Sequence, residues 1–84
     1  MFIVYVLRSL KDKKLYVGFT DDLDRRVKEH NDGKNISTKG RKPFELIFYE
    51  GLPTLEEAVE REKFYKSGRG REVLKKILFV SLPR

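Results

Sequence analysis

The chain has no cysteine and a single histidine, His30, among its 84 residues. The first absence excludes a disulfide framework and any thiolate metal site, and the second excludes a histidine-rich zinc site. Long apolar runs are also missing. The strongest one, FIVYVL at residues 2–7, is far short of the roughly 20 residues that a membrane-spanning helix needs. No basic segment precedes that run and no small-residue cleavage site follows it, so it does not read as a secretion signal. The chain is therefore expected to be cytoplasmic, with no membrane partner. It shows no repeat, linker or low-complexity segment, and 84 residues hold one core rather than two, so residues 1–84 are read as a single domain.

What the chain has in excess is positive charge. Nineteen Lys and Arg stand against thirteen Asp and Glu, a net charge of +6. Residues 25–43 carry seven basic and two acidic side chains, and residues 61–76 again carry seven and two. Each stretch is thus +5, and the rest of the chain is −4. Two basic stretches on an acidic background suggest a surface that faces a polyanion, although a solubilising surface carries similar charge.

Residues 15–30, LYVGFTDDLDRRVKEH, change period from two to 3.6. Leu15, Val17 and Phe19 alternate with Tyr16, Gly18 and Thr20, which predicts a strand. Thr20, Asp21 and Asp22 suit a helix N-terminus, where their oxygens accept from the first unpaired N–H groups. The helix is predicted from about Asp22 to Asn31, with Gly33 at its left-handed C-terminal cap. Leu23, Arg26, Val27 and His30 share its inward face. An arginine on that face either sends its head out to solvent, pairs with a buried acid, or reaches an anionic ligand.

Before this stretch, FIVYVLR at residues 2–8 reads as a strand apolar on both faces, Ile3, Tyr5 and Leu7 pointing one way and Phe2, Val4 and Val6 the other. The polar turn 9–14 joins the two strands as a hairpin. After it, residues 34–42, KNISTKGRK, form a lysine-rich loop expected to lie on the surface, where Lys39, Arg41 and Lys42 are candidate phosphate contacts. FELIFYE at residues 44–50 is a third strand, again apolar on both faces. Thr54 and Glu57 make a capping box for a helix to about Lys66, on which Leu55, Ala58, Val59, Glu62 and Tyr65 form one stripe. Ser67 and Gly68 break it. A last helix from about Arg69 to Phe79 packs Val73, Leu74, Ile77 and Leu78, and Ser81 to Arg84 are a tail. The order is ββαβαα, an α+β domain with a small three-stranded antiparallel sheet flanked by helices.

Tyr5 and Tyr16 lie in adjacent strands, Arg26 and His30 on one helix face, and Glu62 inward on the next helix. Two phenols, a guanidinium, an imidazole and a carboxylate could assemble a phosphate-processing centre. Equally, strand tyrosines are often core aromatics, and Glu62 could be the salt-bridge partner of Arg26. Val4-Tyr5-Val6, Tyr16-Val17-Gly18, Arg26, His30 and the EEAVERE segment ending in Glu62 resemble the GIY-YIG nuclease domain, over essentially the whole chain. The second tyrosine follows the first by 11 residues and the arginine follows it by 10, as in that family. The match is closest to its short, stand-alone bacterial members of uncharacterised function, which share the Thr38–Pro43 loop pattern. The glycine of the first motif is absent, and no asparagine follows the glutamate helix.

The resemblance implies a metal-dependent endonuclease hydrolysing phosphodiester bonds in DNA or RNA, DNA being favoured. In it Glu62 would hold Mg²⁺ (or Mn²⁺), an ion that needs few protein ligands. Arg26 would clamp the phosphate, and Tyr5 would act as general base. Tyr16 would position the water or a phosphate oxygen, and His30 would orient the tyrosine or relay its proton. A nucleic-acid-binding module without turnover and a small protein-interaction domain remain the alternatives.

Overall fold

The structure, a computed structural model, describes residues 1–78. Strand β1 (Phe2–Ser9) is central in a sheet of order β2-β1-β3, with β2 (Leu15–Thr20) and β3 (Phe44–Leu52) antiparallel on either side. The helices are α1 (Leu23–Asn31), α2 (Leu55–Lys66) and α3 (Gly68–Ile77), with a 3₁₀ turn at Lys39–Arg41. The ββαβαα α+β architecture expected from the sequence is therefore present. No helix among the described residues is long and apolar enough to cross a membrane.

The two-faced apolar pattern of β1 explains its central position. Val4, Tyr5, Val6 and Leu7 are all 0% exposed. Val4 and Val6 join Val17, Leu52, Ala58, Tyr65, Leu74 and Leu78 in a core under α2 and α3. Tyr5 and Leu7 join Phe44, with Tyr16, Leu23 and Val27 beside them, under α1. The expected alternation of β1 thus holds, one set of side chains to each helical layer.

Local signals set the helix ends. Asp22 is the cap of α1 rather than its first residue, its side chain accepting from the Arg25 N–H. At the other end Gly33 has φ +74°, the Gly33 N–H reaches the His30 carbonyl and the Lys34 N–H reaches the Glu29 carbonyl. This is a Schellman closure, and its left-handed residue suits glycine. Thr54 caps α2 by accepting from the Glu57 N–H and donating to the Glu57 carboxylate. Ser67 ends α2 and caps α3 through the Gly70 N–H.

Several expectations are corrected. Strand β3 runs to Leu52 and lies at the sheet edge with a register shift opposite Val6 and Leu7, so its outer side chains are uncovered: Tyr49 is 61% exposed. Leu55 and Ile77 are exposed rather than packed, since only Ala58 and Tyr65 of α2, and Leu74 with its cap Leu78 on α3, reach the shared core. The 34–42 loop is not wholly superficial: Thr38 is buried because it is a polar partner of His30. Helix α3 ends at Ile77. The expected helical end at Phe79 and the tail Ser81–Arg84 lie outside the described residues.

Candidate functional site

A hollow of ≈ 270 Å³ opens beside the outer strand β2. Its lining draws Tyr5 from β1, Tyr16, Gly18 and Thr20 from β2, Arg26 from α1 and Glu62 from α2. Four of the five candidate catalytic or metal residues therefore meet in one place, brought there by the hairpin register and the inward stripes of two helices. The fifth, His30, stands behind Tyr5 and is fully buried.

Tyr5 and Tyr16 are not equivalent. Tyr5 forms the floor and is fully buried, whereas Tyr16 is partly exposed. Their rings are tilted at 41° with centroids 6.4 Å apart. Gly18 sits between them: a Cβ there would lie 2.5 Å from the Tyr5 hydroxyl and 3.2 Å from the Tyr16 ring. The glycine of the YVG segment thus serves clearance, allowing the buried phenol to lie against the strand backbone.

Behind the floor runs a chain of polar groups. The Tyr5 hydroxyl is 2.9 Å from His30 Nε2, and His30 Nδ1 is 2.7 Å from Thr38 Oγ1. Thr38 Oγ1 in turn is 3.5 Å from the Asn35 carbonyl. Burial, and then the nearby Arg26 cation, hold the His30 imidazole below its ordinary pKa, so it is neutral at neutral pH. Burial also pushes the Tyr5 phenol above its usual value, with Tyr16 and Glu62 adding to the shift and Arg26 opposing it. A protonated phenol donates and a neutral imidazole accepts at one nitrogen. The polarity is then set: Tyr5 O–H to Nε2, Nδ1–H to Thr38, and Thr38 O–H to Asn35.

Arg26 is held loosely. Its Nε is 3.3 Å from Glu29 Oε1 but misaligned, leaving that buried nitrogen without a hydrogen-bond partner. About a third of the side chain is exposed. The guanidinium lines the hollow, where its planar fork of donors can meet an anion. The acid is not its partner: Glu62 keeps 18% side-chain exposure and pairs with Lys66 Nζ at 3.5 Å.

No group of three His, Cys, Asp or Glu among the described residues is arranged to hold a metal ion. Glu62 and the exposed Asp21 are the carboxylates on the hollow's wall. Asp21 is engaged by Arg25 at 3.2 Å. A single recessed carboxylate fits an ion such as Mg²⁺, which retains most of its waters and takes further oxygens from a phosphate.

The proposed phosphate contacts of the loop lie elsewhere. Lys39 and Lys42 are exposed near Gly33 and do not line the hollow. Arg41 is tied to Asp12 at 2.7 Å and to the Leu15 carbonyl at 3.4 Å. Thr38 and Lys66 were not among the residues singled out from sequence. Thr38 carried one signal, its place in the Thr38–Pro43 loop pattern, and Lys66 carried only its spacing of four from Glu62.

With this geometry in place, the family can be stated: the chain belongs to the family described as the GIY-YIG catalytic domain, whose pattern matches residues 1–76. Among similar proteins is the UPF0213 protein YazA of Bacillus subtilis, 49% identical over 63 residues that cover 74% of this chain and 63% of that protein. The chain thus spans under two thirds of that relative's length. The UPF0213 protein CPE1444 of Clostridium perfringens is 40% identical over 79% of this chain and 71% of its own. The solution NMR structure of the UPF0213 protein BH0048 from Bacillus halodurans aligns with a TM-score of 0.56 and 41% identity, covering 92% of this chain and 85% of that one. The family is one of nuclease-type domains.

Proposed function

We propose that the chain is a metal-dependent endonuclease that hydrolyses phosphodiester bonds in DNA or RNA, with DNA favoured. The carrying observation is the convergence of Tyr5, Tyr16, Arg26 and Glu62 on one open hollow. In this reading Arg26 directs its guanidinium to the scissile phosphate. Tyr16, the partly exposed phenol, orients the attacking water or a phosphate oxygen. Tyr5 takes the water's proton as it passes its own to His30 Nε2. Handing the proton on matters, because a free Tyr5 phenolate is costly at its elevated pKa. His30 is thus a relay, and Thr38 keeps its imidazole turned so that Nε2 faces the phenol.

Glu62 would hold Mg²⁺ or Mn²⁺, which when bound supplies charge neutralisation on the phosphate and activation of water. Lys66 would have to release the Glu62 carboxylate, or share it, for the ion to enter. Lys39, Arg41 and Lys42 are proposed as more distant contacts to the nucleic-acid backbone.

The test is incubation with Mg²⁺ and branched, nicked and single-stranded substrates, repeated with Glu62→Gln. Wild-type cleavage is expected to fall by at least about 10²-fold in the variant, the scale on which a charge-stabilising group matters. Equal cleavage by the two proteins would refute the assignment. The Glu62–Lys66 contact favours a second reading, in which the carboxylate is already neutralised and the domain binds nucleic acid without cutting. That reading predicts salt-sensitive binding and no product with any divalent ion.

A further inference from the structure

A second and larger concavity, ≈ 810 Å³, runs along the other side of β2 between the β1–β2 hairpin and α3. Its lining includes seven cations and no carboxylate. Three of the cations are engaged: Arg8 by Glu45, Arg41 by Asp12 and Lys66 by Glu62. The other four, Lys13, Lys14, Arg71 and Lys75, form no ion pair among the described residues. Together the seven gather charge from three separate parts of the chain, residues 8–14, Arg41 and residues 66–75, onto one trough. A surface that is merely solubilising would intersperse both signs.

The trough also adjoins the hollow. Tyr16 lines both, and the Glu62–Lys66 pair bridges them, the acid on the hollow's wall and the lysine on the trough's. Between the cations the lining is apolar: Leu15 and Tyr16 are partly exposed, Val17 and Leu74 back them at 8% and 2% exposure, and Lys66 Nζ stands 5.9 Å over the Tyr16 ring. A duplex offers a protein wall phosphates and sugars, with its bases stacked inside. A basic rim over an apolar floor with an accessible aromatic instead suits an unpaired strand, whose phosphates meet the rim and whose bases can stack or rest on the floor.

We infer that this trough is the binding track for a single-stranded stretch of nucleic acid leading into the hollow, with Lys13, Lys14, Arg71 and Lys75 as its backbone contacts. The inference rests on the nuclease reading for the position of the scissile phosphate, but binding in the trough does not require cutting. The substrate class that follows is a junction with a free or unpaired strand rather than an intact duplex.

The test is fluorescence anisotropy with a short labelled single-stranded DNA and the matching duplex, in EDTA so that no divalent ion is present. Wild type should prefer the single strand, with a slope of log affinity against log salt near −3, about −0.7 for each phosphate contact. Lys14→Glu/Lys75→Glu should weaken single-strand binding by at least about tenfold and flatten the slope by about 1.4. Lys28→Glu/Lys34→Glu makes the same change of net charge at exposed residues outside the trough and should bind as wild type does. Matching thermal melts for all three proteins exclude misfolding as the cause of a loss. Equal losses in the two variants, no loss in the first, or tighter binding of the duplex would each overturn the inference.

Adding Mg²⁺ to the same samples separates the two claims. Product from wild type, with trough variants that bind normally, would overturn the track and leave the nuclease. Selective loss of binding in the trough variant, with no product from wild type, would keep the track and overturn the nuclease.

Discussion

On the face of the sheet covered by α2 and α3, β1 contributes Val4 and Val6 to a core whose buried members are apolar side chains and one tyrosine. On the face covered by α1 the same strand contributes Tyr5 and Leu7, and behind Tyr5 stand two more buried polar groups, His30 and Thr38. Both faces exclude water, but they use the exclusion differently. The first converts area into stability at roughly 25 cal/mol per Å² of apolar surface. The second spends burial on a directional chain of hydrogen bonds, each member of which must be satisfied and can be satisfied in one order only. One layer holds the sheet together, and the other aims a phenol at the hollow.

Substitutions should separate those roles. The largest effect on stability is expected at Leu74, 2% exposed in the apolar layer. Leu74→Ala should cost about 2–5 kcal/mol by denaturant titration; because Leu74 also lines the trough, it should weaken strand binding while leaving kcat per folded molecule unchanged. Gly18→Ala comes next, because the added methyl meets the Tyr5 hydroxyl at 2.5 Å. It should cost about 1–3 kcal/mol, the scale of overpacking. Unlike Leu74→Ala, it should also depress kcat, by displacing the phenol. A Gly18→Ala protein with full activity would show that the position of Tyr5 is not critical.

Thr38→Val removes the partner of His30 Nδ1 while keeping the side-chain shape. Its cost should be about 1–2 kcal/mol, the penalty for an orphaned buried donor. The activity that remains should show a shifted acid limb in the pH–rate profile.

The smallest effect is the pH dependence of stability from His30. Its folded pKa is depressed by burial and by Arg26. Below about pH 6.5 the unfolded chain takes up a proton that the folded state refuses. Stability from this group is therefore complete above that pH and is lost as pH falls toward the folded pKa. His30→Gln should remove that slope. It should leave the separate acid transition of Asp12, whose carboxyl is held at about 2, chiefly by its hydrogen bond to Arg41. That contribution is lost as pH falls below about 4.

Much of this was legible in the residues. The alternation in β1, the Asp22 and Thr54 caps and the glycine after α1 are local signals, and each operates over a few residues. The helical stripes placed Arg26 and Glu62 inward, and the chain bears this out for both. What local pattern could not show was distance between elements. The spacing of four between Glu62 and Lys66 permits that pair but does not exclude Arg26, because both pairings satisfy charge and only the packing of α1 and α2 decides. Thr38 reads as a loop threonine until the fold brings it to His30. The exposure of Tyr49 has the same origin: β3 has apolar residues on both faces, but strand order leaves it at an edge. The basic stretches were visible as sums, whereas their convergence on one trough depends on the hairpin lysines, which lie outside both stretches.

The most direct test of the central claim, that these elements converge to hold a metal ion and a phosphate together, is a crystal grown with Mn²⁺ and a short single-stranded DNA, measured at the manganese absorption edge. The account predicts an anomalous peak about 2.1 Å from a Glu62 carboxylate oxygen, with a phosphate between it and Arg26. Well-ordered DNA with no manganese at Glu62, or manganese bound only elsewhere on the chain, would contradict it.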